Sequence, residues 1–182
     1  QGGDFQQLFQ QARDFLQTGD YDKALQLLKH CRAKAVRTLK PMSADMAGFL
    51  NDLAVAYSGM GRYQEAVQLL DQCLTIHRQR YNPQVPSTAV LLAAALRQAS
   101  RLRGAKLGDY ANALRQANDS LALCKATFGA THLETALGHA NLGVLHRAVG
   151  NSRQAEQFLR RALALREAAP ADQSLAFIQH NL

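Results

Sequence analysis

The sequence predicts an all-α fold, a right-handed α-solenoid of about four helical hairpins followed by a truncated fifth unit. The main observation is an internal repeat: "GDYDKALQLLKHCR" begins at Gly19, and the similar "GRYQEAVQLLDQCL" begins at Gly61. Two further copies begin at Gly108 and Gly150. The copies are amphipathic with helical spacing, and no alternating β pattern of useful length occurs. Units of this size bury their apolar faces against neighbouring units, which is the arrangement of a solenoid.

Each unit is predicted to contain one helix before its glycine and one after it. The first helices are "FQQLFQQARDFLQT", "DMAGFLNDLAVAYSGM", "STAVLLAAALRQASRL" and "HLETALGHANLGVLHRAV". The glycine supplies a turn with positive φ, and prolines at 41, 83, 86 and 170 mark breaks between units. The expected units span about 4–41, 43–83, 86–129 and 131–169, with a partial unit at 172–182. We expect at least eight helices and a ninth, short one near Gln173–Leu182, all within a single solenoid domain covering 1–182.

Small residues recur at fixed distances from each glycine. Ala24, Ala66, Ala113 and Ala155 follow it by five positions, and Cys31, Cys73, Ser120 and Ala162 come seven residues later. Small side chains at these two heights let paired helices approach closely. Tyrosines at 21, 63 and 110 follow three of the glycines by two positions.

The third unit contains five extra residues near "RLRGAKLG". We expect this insertion to lengthen the first helix of that unit or to form a protruding turn, without breaking the stack. In this interpretation Gly104 gives an early exit from the helix, and Gly108 keeps the turn of the repeat.

The small-Gly-Tyr-Ala pattern resembles the tetratricopeptide repeat. The long unit, and helix starts such as Asp52-Leu53-Ala54 and Asn141-Leu142-Gly143, resemble the repeats of kinesin light chains. The phrase recurs at Asn181-Leu182, so we expect the chain to be a fragment cut inside a fifth unit. The resemblance implies a protein-interaction module, with cargo adaptation on a microtubule motor as one candidate role.

Composition limits the cellular setting and the partners. The net charge is +7 and the pI is about 9.7, with the third unit the most basic, so acidic partners are expected. No apolar run reaches the length of a membrane span, and no secretory signal precedes the first helix. Three cysteines without such a signal favour a reducing compartment, and we expect a cytoplasmic protein.

Candidate metal and catalytic groups are better interpreted as structural residues. His132, His139 and His146 are spaced by seven, but the latter two lie at helix-pair positions, and His132 lies at a helix start. Cys31 and Cys73 occupy small-residue positions. No phosphate-binding loop and no close carboxylate couple is present, so we expect no enzyme activity, no cofactor, no metal and no small-molecule substrate.

The resemblance also implies where binding occurs, because tetratricopeptide repeats bind peptides on the concave face of their first helices. Carried onto this sequence, the peptide-binding positions are Arg13, Asn51, Val55, Arg97, Arg101, Val144 and Arg147. Arginines suit carboxylates through bidentate, charge-assisted hydrogen bonds. We therefore expect an acidic, partly apolar peptide or helix as the ligand.

Two alternatives remain open at this point. The groove arginines could simply be solvated, and the basic run from Lys29 to Lys40 could be a solvated helix end. That run could instead make the outer surface of a scaffold that contacts RNA, anionic lipid or another protein. Nucleic acid is disfavoured by the few aromatic residues nearby, and the sequence leaves the oligomeric state open.

Overall fold

A computed structural model describes residues 3–169, and within them the backbone forms eight α-helices and no β-strand. The helices are α1 (Gly3–Thr18), α2 (Tyr21–Thr38), α3 (Ala44–Gly59), α4 (Tyr63–Arg80), α5 (Pro86–Leu107), α6 (Tyr110–Phe128), α7 (Leu133–Ala148) and α8 (Ser152–Glu167). The predicted all-α repeat solenoid fold is confirmed. The expected ninth helix near Gln173–Leu182 lies outside the described residues. None of the eight helices combines the length and apolarity that a bilayer span requires.

The turn between the two helices of each repeat is made by the predicted glycine. Gly19, Gly61, Gly108 and Gly150 have φ of 79°, 74°, 68° and 82°, a left-handed conformation that a side chain disfavours. Helices α2, α4 and α6 each begin at the tyrosine two residues later. The hairpin turns and the positions of these tyrosines therefore follow directly from the repeated phrase.

The five-residue insertion lengthens α5, which has 22 residues where α1, α3 and α7 each have 16. The first of the two expected outcomes is thus confirmed. The expectation that Gly104 gives an early exit is wrong, because Gly104 lies inside α5 and is buried. A Cβ atom there would collide with the side chain of Leu145 on α7. Gly104 keeps its helical conformation, and its lack of a side chain leaves room for Leu145. The helix therefore continues to Leu107, and Gly108 makes the turn.

The N-terminal unit, Gln1–Arg80, contains α1 to α4 and has its own core. Each pair of consecutive helices is in contact, and α1 also contacts α3. The largest fully buried side chains of this unit are Leu28, Phe49, Leu53, Leu70 and Leu74. Burying a leucine or phenylalanine contributes about 1.5–3 kcal/mol, so these side chains are the main source of its stability.

The C-terminal unit, Tyr81–Leu182, contains α5 to α8. Its core cluster comprises Ala113, Ala117, Leu121, Leu142 and Leu145, with Leu114 and Phe158 packed against it. The predicted small-residue positions are buried in both units, at Cys31, Cys73, Ser120 and Ala162. Small side chains at these positions allow the helices to pack closely.

Candidate functional site

The predicted binding face of α3 is open. The predicted Asn51 and Val55 are half-buried, and so are Gly48 and Ser58, which continue the same helical stripe. The side chains of Phe49 and Leu53 point into the core and are 1% and 2% exposed. The helix thus separates a packed side from a side that solvent reaches.

Arg13 on α1 joins the first helices of the N-terminal unit. Its Nε donates to Oδ2 of Asp52 on α3 at 2.7 Å, and its guanidinium lies 4.4 Å from the ring centroid of Phe9. Burial raises the pKa of Asp52 above its ordinary value, although hydrogen bonds from Arg13 and Asn51 act in the opposite direction. The Arg13 side chain remains 45% exposed, so part of its guanidinium is accessible to a ligand.

Arg97 on α5 is engaged more completely. It donates to Oε2 of Glu134 on α7 at 2.9 Å, and the two side chains are only 13% and 11% exposed. A second guanidinium nitrogen lies 3.8 Å from the Cys124 sulfur. The charge of Arg97 is therefore balanced within the protein.

Arg13 and Arg97 occupy equivalent positions, six residues before the turn glycine once the insertion is discounted. Each forms an ion pair with the first helix of the following repeat, through Asp52 and Glu134 respectively. Sequence reasoning assigned both arginines to a ligand and missed both carboxylates. An acidic residue 37 to 39 positions after each arginine was the available signal.

The remaining predicted arginines are exposed. Arg101 lies on α5, and Arg147 lies on α7 three residues after Val144, which is 43% exposed. Neither arginine has a side-chain partner within residues 6–169. Helices α5 and α7 pack together, and the Asn141 amide donates to the Ser100 hydroxyl at 2.7 Å between them. The packed helices α5 and α7 therefore carry two exposed guanidinium groups and the exposed apolar side chain of Val144.

The three histidines take the structural positions expected from the sequence. The rings of His139 and His146 pack against Phe158 on α8. Their centroids lie 5.7 and 5.3 Å, respectively, from the centroid of the Phe158 ring. The Nδ1 atom of His132 accepts a hydrogen bond from the backbone of Glu134 at 3.1 Å and so caps α7. No group of three or more His, Cys, Asp or Glu residues within the described ranges could hold a metal ion.

The three cysteines are free thiols, and all are buried. Burial raises the pKa of Cys73 and of Cys124 to about 11. The Cys73 thiol donates to the backbone oxygen of Ala47 at 3.5 Å. The thiolate is the nucleophilic form of cysteine, and a pKa of about 11 keeps both thiols protonated near pH 7. We therefore interpret Cys73 and Cys124 as packing residues.

The repeat, the hairpins and the open first-helix faces define a tetratricopeptide repeat protein. Two tetratricopeptide repeat family models match residues 92–168 and 46–84, together more than half of the chain. The chain belongs to this family, whose members are in general protein-interaction modules and typically lack enzymatic activity. No curated protein matches the chain.

Several solved structures share this fold. BtubC (BKLC) from P. vanneervenii is 18% identical with a TM-score of 0.76, covering 88% of this chain and 62% of that one. The apo form of RapI is 19% identical with a TM-score of 0.71, covering 88% and 42%. MamA is 16% identical with a TM-score of 0.63, covering 90% and 78%. The chain thus spans less than two thirds of BtubC and of RapI, and at these identities the likeness concerns the fold alone.

Proposed function

We propose that the protein is a non-enzymatic adaptor that binds an acidic, partly apolar peptide or helix on the faces of its first helices. The observation that supports this most is the face of α5 and α7. There Arg101 and Arg147 are exposed without a side-chain partner in residues 6–169, and Val144, one helical turn before Arg147, is 43% exposed. Apolar surface next to available cations suits a ligand that carries both apolar and acidic side chains.

The four predicted arginines divide into two roles in this proposal. Arg97 is occupied by Glu134 and acts as a positioning residue that holds α5 against α7. Arg101 and Arg147 supply the charge that a ligand carboxylate meets. In the N-terminal unit, the exposed part of Arg13 and the side chains of Asn51 and Val55 offer a second, less charged face.

The affinity of a short peptide should be modest, on the order of micromolar, because the peptide loses chain entropy when it becomes ordered. It should also weaken with added salt, since exposed charges are screened beyond about 8 Å at physiological ionic strength. Both properties are those of a reversible adaptor.

The test is a selection of peptides from a random displayed library, followed by titration of the enriched peptides. Peptides enriched on the wild type should combine Asp or Glu with apolar residues. The double variant Arg101→Glu, Arg147→Glu should bind them at least about tenfold more weakly, because each charged hydrogen bond contributes about 1.5–3 kcal/mol. Arg97 is left unchanged, since replacing it would break its ion pair with Glu134.

The matched control is Arg153→Glu, which reverses an exposed arginine on α8. It should leave the titrations unchanged, and circular dichroism should show equal helix content for all variants. Peptides without acidic enrichment, or equal affinity for the double variant at low salt, would remove these arginines from recognition.

A cargo adaptor on a microtubule motor is the particular form of this proposal that the long repeat suggests. We also propose a cytoplasmic location for the adaptor, since three buried free cysteines suit a reducing compartment. Microtubule co-sedimentation of the protein with a motor, compared with the protein alone, tests the motor association.

A further inference from the structure

A groove opens between the second helices of the N-terminal unit. Helices α2 and α4 both pack against α3, but within the described residues they make no backbone contact with each other. The space between them is a cavity of about 350 Å³. We call it the second-helix groove, with walls from Arg32 and Val36 on α2 and Thr75 on α4, and a floor that includes Phe49 on α3.

The floor and the rim of this groove differ in exposure. Phe49, Leu53 and Ile76 on the floor are 1%, 2% and 4% exposed, so they are fixed by the core beneath them. Val36 and Met42 at the rim are 62% and 45% exposed. Exposed apolar side chains above an apolar floor offer area that a partner could remove from water.

The charged side chain that lines the groove is basic, and the exposed Asp45 and Asp71 directly precede two other lining residues. Arg32 lines it, and the residues that form its lining include no carboxylate. Arg80, at the end of α4, donates to the backbone oxygen of Met42 on the rim at 3.4 Å. Lys40 is exposed and directly precedes Pro41, another lining residue. The basic run noted in the sequence therefore borders an apolar groove.

The shape favours a helix over a membrane surface. Helices α2 and α4 both run antiparallel to α3, because short connections join each of them to it. They thus form two parallel walls, and an amphipathic helix can lie between such walls with its apolar side chains on the floor. A bilayer surface is flat and would meet only the rim.

We propose that the second-helix groove is a docking site for an amphipathic helix of a partner protein, whose apolar side chains fill the groove and whose acidic side chains face Arg32 and Arg80. This site is separate from the first-helix faces and does not depend on the function proposed for them.

The probe is a set of three designed helical peptides of about four turns. All share one leucine stripe at i, i+3, i+4 and i+7 spacing, and their flanking positions carry Glu, Gln or Lys. The peptide with Glu flanks should bind at least about tenfold more tightly than the peptide with Lys flanks, by fluorescence anisotropy. The double variant Arg32→Glu, Val36→Glu should lose this tight binding.

The control is the double variant Arg153→Glu, Leu163→Glu, which likewise replaces an arginine and an exposed aliphatic residue, here on α8, where Leu163 is 57% exposed. It should bind as the wild type does. Met42→Glu provides a second variant at the rim, should the first pair lower the helix content.

Three results would overturn the proposal. The first is equal binding of the Glu and Lys peptides, or binding that the groove variants leave unchanged. The second is binding to phosphatidylserine vesicles without binding to any peptide, which would assign the groove to a lipid surface. The third is self-association that Val36→Glu abolishes, which would assign it to a second copy. Arg101→Glu with Arg147→Glu should leave binding in this groove intact, so the two proposals fail separately.

Discussion

At the scale of single residues, His139 is a buried titratable group whose pKa affects the stability of the fold. It is 2% exposed between α7 and α8, with its ring beside Phe158. Burial is the main cause that lowers its pKa to about 4, and the positive charges of Lys125 and Arg161 act in the same direction. The ring is therefore neutral in the folded protein near pH 7.

We expect His139 to make the C-terminal unit less stable as the pH falls from about 6.5 to 4. In this window the unfolded chain binds a proton that the folded protein excludes, so stability is full above the unfolded pKa and is lost on acidification. The total loss should be about 3 kcal/mol, since one pKa unit corresponds to about 1.4 kcal/mol. Urea unfolding of the wild type and of His139→Leu across this range measures it.

The variant should be free of this particular loss, and the difference between the two profiles isolates His139 from the other titrating groups. Parallel profiles for the wild type and the variant would show that folding does not lower the pKa of His139.

At the scale of helices, glycines mark the places where neighbouring elements approach most closely. A Cβ atom on Gly59, at the end of α3, would collide with the ring of Tyr21 on α2. A Cβ atom on Gly48, in the same helix, would meet only Arg13 at an ordinary 3.6 Å. The packing of Tyr21 on Gly59 also gives a physical reason for a tyrosine at the start of α2.

These two glycines make a matched pair for a stability test. Gly59→Ala should destabilise the protein by about 1–3 kcal/mol, because the tyrosine ring must move out of a packed position. Gly48→Ala should be neutral or stabilising by up to about 1 kcal/mol, since alanine favours the helix over glycine. Urea unfolding midpoints compare the two variants. A similar shift of the unfolding midpoint in both variants would mean that a side chain at position 59 does not disturb the packing of Tyr21.

At the scale of the whole molecule, the chain divides into two compact units at Arg80 and Tyr81. Each has its own buried side chains, such as Phe49 and Leu70 in the first and Leu142 and Leu145 in the second. In repeat proteins, stability is approximately a sum of repeat terms and nearest-neighbour interfaces. Whether two repeats with their own buried core suffice for folding is therefore open to a direct test.

We expect a chain that begins at Tyr81 to be helical and to unfold cooperatively, as measured by circular dichroism during heating. A chain that begins at Gly108 is the control. It lacks α5, which packs against both α6 and α7, and it should lose cooperative unfolding. A non-cooperative transition for the longer chain would show that the C-terminal unit needs the N-terminal one.

The sequence by itself determined the repeat, the eight helices of residues 3–169 and the glycine turns, because helical periodicity and positive φ are local properties. It also placed His139 and Cys73 in the packing. Only the tertiary structure decided that Arg97 pairs with Glu134, that the side chain of Leu145 packs against Gly104, and that a groove separates α2 from α4. Those features depend on how residues from different helices are brought together, and the position of a residue within its own repeat does not specify its neighbour in the next.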